Sequence, residues 1–173
     1  MTLLGVSGAL LTAAPAAAQL SRSSDGPIDV TADELEVQQN ECVSVWRGNA
    51  EALQGDTRLR ANVMRMYMTK SASRPGGAAG GCGELRRLEA DGGVYYVTAQ
   101  QRVRGDRGVY DAQSETITLT GDVVAVQGQN VLRGTRMVFN TKTGEGKMEG
   151  NARGANQTGR PRGVFYPSKK SNP

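Results

Sequence analysis

The chain has 173 residues, enough for one domain, with 23 glycines, two cysteines, no histidine and a net charge of +4. Without histidine it lacks the commonest general base and the commonest metal ligand, and two cysteines cannot build a structural zinc site alone. The charge is interspersed and no RNP-type aromatic motif or basic run is present, which argues against nucleic acid as a partner.

Met1 to Ala18 is apolar and small, and the first charge is Arg22. Leu3 to Leu11 has the character of a signal h-region, and Ala16-Ala17-Ala18 that of a cleavage site before Gln19. Residues 1–18 are therefore expected to be a signal peptide that directs the chain to a bacterial periplasm. A basic n-region is missing. The run is too short and too rich in alanine to span about 30 Å of bilayer well. Residues 19–27 read as a polar linker.

From Ile28 the chain alternates like β structure. Ile28–Val37 is a first strand region, and Gln38–Cys42 a turn. Val43–Trp46 is a strand, Arg47-Gly48-Asn49 a turn, and Ala50–Gln54 pairs across Gly55-Asp56 with Leu59–Met68. Residues 69–83 are rich in Ser, Arg, Pro, Gly and Ala and read as a flexible loop insertion. Glu84–Ala90 and Gly93–Thr98 flank Asp91-Gly92, a hairpin signal. Thr116–Thr120 alternates. Val123–Val126, Val131–Asn140 and a run from Lys147 are parted by Gln127-Gly128-Gln129 and Thr143-Gly144-Glu145-Gly146. Residues 151–173 are basic, with Gly and Pro, and are expected to be a mobile tail. No window after the leader keeps a helical period over ten residues, so the chain is all-β.

An internal repeat organises this alternation. Val30–Val37, Leu59–Met66, Val103–Tyr110 and Leu132–Phe139 share one pattern at spacings of 29, 44 and 29. The pattern is apolar, polar, small, Asx or Thr, any, usually apolar, any, large apolar. Gly48, Ala52, Gln54 and Gly55 return 73 positions later as Gly121, Ala125, Gln127 and Gly128. A plain strand keeps its apolar residues on one parity. Here positions one and three are apolar or small, then positions six and eight, so the phase slips by one. Such a slip turns later side chains to the other face unless the backbone bulges or bends. The third position is Ala32, Ala61, Gly105 or Gly134, and the fourth Asp33, Asn62, Asp106 or Thr135, small and turn-forming residues that suit a corner. Each unit therefore reads as a strand that turns a corner and keeps its apolar side inward.

Cys42 and Cys82 lie 40 apart, and in an oxidising compartment they most simply pair. Arg58, Arg60, Arg102, Arg104, Arg133 and Arg136 fit solvated strand faces, with lipid phosphate as the other reading.

Ile28-Asp29-Val30-Thr31-Ala32-Asp33, Gly48 to Gly55, Arg104 to Asp111 and Leu119 to Gly134 together resemble the periplasmic lipopolysaccharide-transport bridge, the LptA or OstA-like family. The resemblance covers about Ile28 to Gly150. The insertion near Arg74 to Gly83 and the cysteine pair depart from the pattern. The resemblance implies an open, twisted β-jelly roll of short antiparallel strands over residues 28–150. It implies that acyl chains of lipopolysaccharide, the lipid A part, lie in an apolar slit. That slit would be lined by Val30, Leu35, Val37, Leu59, Met64, Met66, Val103, Tyr110, Leu132, Met137 and Phe139. In a closed sandwich the same side chains are simply core, and that alternative stays open here. The implied partners are an inner-membrane LptC-like protein, an outer-membrane LptD-like protein and further copies joined end to end. No enzyme, cofactor or metal is implied.

Two other readings compete. A membrane-anchored, LptC-like component of the same machine would keep its apolar leader. A β-solenoid enzyme acting on polysaccharide needs carboxylates clustered on one rung, whereas Asp33, Asp106 and Asp122 sit at different phases.

Overall fold

A computed structural model describes residues 26–70, 81–151 and 159–167. The expected signal peptide, most of the linker, the centre of the Gly-rich insertion and parts of the basic tail lie outside them.

Ten strands run in chain order: β1 Asp29–Thr31, β2 Glu34–Gln38, β3 Val43–Gln54, β4 Thr57–Lys70, β5 Cys82–Val97, β6 Arg102–Asp111, β7 Thr116–Gln127, β8 Asn130–Asn140, β9 Gly146–Glu149 and β10 Arg162–Val164. All pairs are antiparallel, and β3 to β8 form a meander of sequential neighbours. Each end of the sheet carries two short strands. β1 and β2 pair with the two halves of β3, and β10 and β9 pair with the two halves of β8. The architecture is the all-β, open antiparallel one that the sequence resemblance implied.

One line of irregularities crosses every long strand. On β3 the register jumps between Arg47 and Ala50, so Gly48 and Asn49 face Asn62. On β5 Gly92 and Gly93 are the extra residues, facing Asp106 on β6. On β7 Gly121 and Asp122 face Thr135 on β8. Gly48, Gly92 and Gly121 have φ of +77°, +81° and +102°, a backbone that L side chains rarely adopt. A Cβ on any of the three would meet the fourth-position residue of a neighbouring repeat: Asp33, Asn62 or Asp106. The fourth position and the left-handed glycine thus form one device, repeated across the sheet. At the first corner the Asp33 amide donates to the Gly48 carbonyl (2.9 Å), and Asn49 donates to the Asp33 carboxylate (3.0 Å). At the last, the Thr135 hydroxyl donates to the Glu149 carbonyl (3.4 Å).

The bulges divide the sheet into two half-sheets and explain the phase slip. On one side an inward row runs Val30, Ala52, Leu59, Tyr96, Val103, Ala125, Leu132. On the other, inward rows run Trp46, Met64, Ala90, Gly108, Leu119, Met137 and Ser44, Met66, Leu88, Tyr110, Ile117, Phe139. These rows share a single core cluster. Met64, Leu119 and Val123 are wholly buried, and Val94 and Val103 nearly so. Burying a side chain of this size is worth about 1.5–3 kcal/mol.

Four expectations change. Asp91-Gly92 is not a hairpin turn. β5 passes through it as one strand of 16 residues, because Gly92 and Gly93 are absorbed as a bulge while β4 and β6 pair on both sides. The same holds at Arg47-Gly48-Asn49, inside β3. Residues 69–83 are partly strand, since β4 runs to Lys70 and β5 starts at Cys82. Part of the expected mobile tail, Arg162–Val164, is β10, where Val164 faces Val131. Cys42 and Cys82 are joined in a disulfide, with Cα atoms 5.3 Å apart. It ties the β2–β3 turn to the start of β5.

Candidate functional site

The hairpin turns lie at the ends of the strands, away from the bulge line, so they rim the gap between the half-sheets. One rim holds Gln54, Asp56, Thr57, Thr98 and Gln101; the other holds Ala112, Asn140, Thr141 and Thr143. Between them lies a cavity of about 790 Å³, within the range of small-ligand sites. Its walls are apolar: Ile28, Ala52, Leu59, Leu85, Leu88, Tyr96, Tyr110, Ile117 and Phe139. Tyr96 and Phe139 come from opposite half-sheets, with ring centroids 5.4 Å apart.

Polar groups at the rims are fixed by short local bonds. Asp111 accepts from the Ser114 amide (2.9 Å) and hydroxyl (3.0 Å), which closes the β6–β7 turn and holds the Asp111 carboxyl below the usual range. The Asn140 side chain accepts from the amides of Lys142 and Thr143 at 2.9 and 2.8 Å, shaping the β8–β9 turn as an Asx motif. Desolvation pushes the phenols of Tyr96 and Tyr110 up, so both stay neutral across the physiological range. Among the described residues no group of three His, Cys, Asp or Glu could hold a metal ion. The cavity presents oily walls under a polar mouth, and its chemistry is that of an apolar guest with a polar end.

The eleven slit residues read from the sequence are distributed unequally. All occupy inward rows of the register. Leu59, Tyr110 and Phe139 line the cavity. Met64, Met66, Val103 and Met137 are buried in the core and do not reach it. Val30 and Leu132 pack against the core from either end. Leu35 and Val37 are 48% and 62% exposed on β2, the edge strand. Sequence reasoning missed Ile28, Leu85, Leu88, Tyr96 and Ile117. All five lie outside the repeat unit. Leu88, Tyr96 and Ile117 are on the partner strands that keep one apolar parity, and that parity was the signal available, whereas Ile28 precedes β1 and Leu85 falls off that parity beside a register shift.

Comparison with known proteins agrees with this architecture. Residues 29–145 match the family model described as LptA/(LptD N-terminal domain) LPS transport protein. An uncharacterized protein of Rhizobium meliloti (strain 1021) is 30% identical over 151 residues, covering 82% of this chain and 80% of that one. The crystal structure of LptH from Pseudomonas aeruginosa, described as the LptA-homologous periplasmic component of the lipopolysaccharide transport device, superposes with a TM-score of 0.68. It covers 84% of this chain and 99% of that one at 22% identity, a likeness of fold. With its repeats and bulge line inside the matched span, the chain belongs to the LptA/LptD N-terminal family of lipopolysaccharide transport proteins.

Proposed function

We propose that this chain is a periplasmic carrier that holds the acyl chains of lipopolysaccharide in the slit between its half-sheets. The observation that carries the reading is the cavity of about 790 Å³ whose walls are Leu, Ile and aromatic side chains and whose mouth is polar. Acyl chains would lie among Leu59, Leu85, Ile117 and Phe139, with the sugar and phosphate groups at the rims. Burying an acyl chain of about a dozen carbons contributes on the order of 9 kcal/mol. Movement through the slit then needs successive sites of similar affinity and an energy source on another protein.

The ends of the sheet support assembly into a bridge. β2 pairs only with β3, and β9 only with β8, so each leaves one side without a partner among the described residues. Exposed Leu35 and Val37 on β2 fit β-augmentation by another copy, or by membrane partners of LptC-like or LptD-like type.

The test is a titration of the chain from Gln19 onward, which contains every described strand, with lipopolysaccharide. Trp46, half-buried against the core, reports by its fluorescence, and co-elution reports directly. Saturable binding that Leu59→Asp abolishes in a folded chain supports the slit. A folded chain that binds nothing overturns it.

A further inference from the structure

The two outer faces of the sheet differ in charge balance. Pairing places Arg60, Tyr95, Arg104, Val124, Arg133 and Arg162 opposite one another on successive strands of the half-sheet that contains β1 and β10. The next outward row runs Asp29, Leu53, Arg58, Val97, Arg102, Val126, Val131 and Val164, two arginines and one carboxylate among apolar side chains. Glu51 pairs with Arg58 and Arg60, and Asp122 with Arg104. Arg102, Arg133 and Arg162 have no carboxylate partner among the described residues. On the other half-sheet Arg47, Arg65, Arg87, Arg107, Arg136 and Lys147 are each ion-paired, and among the described residues exposed Lys70 and Arg86 there have no carboxylate partner.

Arg133 and Arg162 stand directly across from each other. Like charges so placed destabilise a strand pair unless an anion lies between them. They border a shallow depression with Gln129, Val131, Val164 and Tyr166. The exposed rings of Phe165 and Tyr166 follow at once, and Tyr95 is exposed in the same arginine row. The Tyr166 amide donates to the Asn130 side chain (3.0 Å), which holds this end against β8.

We propose that this basic face docks on an anionic phospholipid bilayer. The arginines do not converge on one pocket. From β4 to β10 they spread over about 24 Å at ordinary strand spacing, which suits a surface of many mobile single charges better than one compact ligand. Arginine beside exposed tyrosine and phenylalanine is the side-chain mixture that settles at a headgroup interface. Side chains alternate between faces, so these arginines point away from the cavity. Membrane contact therefore leaves the slit free.

The experiment is co-sedimentation of the chain from Gln19 onward with phosphatidylcholine vesicles, with and without phosphatidylglycerol. Binding is expected to require phosphatidylglycerol and to weaken as salt rises. The variant Arg102→Gln/Arg133→Gln/Arg162→Gln is expected to bind about 100-fold more weakly. Arg47→Gln/Arg136→Gln/Lys147→Gln removes the same charge from the other face and is expected to bind as the parent does. Equal binding to neutral vesicles, or equal weakening by the two triple variants, overturns the proposal. So does tighter binding to heparin than to the anionic vesicles, which would mark a soluble polyanion as the partner.

Discussion

The rings of Tyr96 and Phe139 meet across the interior, with centroids 5.4 Å apart and planes tilted by 47°. They reach each other from opposite half-sheets, and both line the cavity. The contact links packing to the slit: it adds stability where a guest would enter. Phe139→Ala is expected to lower stability by about 3–5 kcal/mol. A double-mutant cycle with Tyr96→Ala is expected to show a coupling of about 0.5–1.5 kcal/mol. Urea unfolding of the four proteins measures it, and additive losses would mean that the rings do not interact in solution.

Gly121 separates two costs that are usually mixed. Its φ of +102° strains any side chain, and a Cβ there would run into the Asp106 carboxylate. Gly128 has φ of +58° but open space around its would-be Cβ. Gly128→Ala is expected to cost about 1 kcal/mol, for the backbone alone. Gly121→Ala is expected to cost about 2–3 kcal/mol or more. Equal losses in denaturant melts would show that the Asp106 contact relaxes at no cost.

The Cys42–Cys82 bridge closes a loop of 40 residues. In the chain-entropy account this stabilises by about 4 kcal/mol. Cys42→Ser/Cys82→Ser should lower stability by up to that amount, and reductant should do the same to the parent but not to the variant. Identical melts with and without reductant would show that the loop is already held by β4 and β5.

Alkali should weaken the fold through its tyrosines. Burial raises the Tyr96 and Tyr110 phenols above their ordinary value of 10.0. From about pH 10 the unfolded chain loses protons that the folded chain keeps, so stability falls as pH rises. Below that pH both states are protonated and the contribution is constant. Phenolate absorbance should reveal two late-titrating tyrosines in the folded chain, and Tyr96→Phe should flatten the decline. A folded chain whose five tyrosines all titrate together at the ordinary value would contradict this.

Alternation, the absence of a helical period and the phase slip within the repeat were enough to predict an all-β chain that bends and keeps its apolar side inward. Val103 and Tyr110 illustrate why. Seven positions apart, they would face opposite sides of a straight strand, yet both are apolar, and the small Gly105 and turn-forming Asp106 between them supply the bend. That is local chemistry, readable along one strand. What glycine does at Gly92 was not local. The same left-handed residue closes a hairpin or forms a bulge, and pairing of β5 with β4 and β6 on both sides of it decided for the bulge. The tertiary structure likewise decided that Met64 is core while Leu85 and Ile117 line the slit. It also decided that Arg133 meets Arg162 while Arg136 meets Glu149. Chain order states which face a side chain takes on its own strand; its neighbours on that face are set by register between strands, which only the folded sheet fixes.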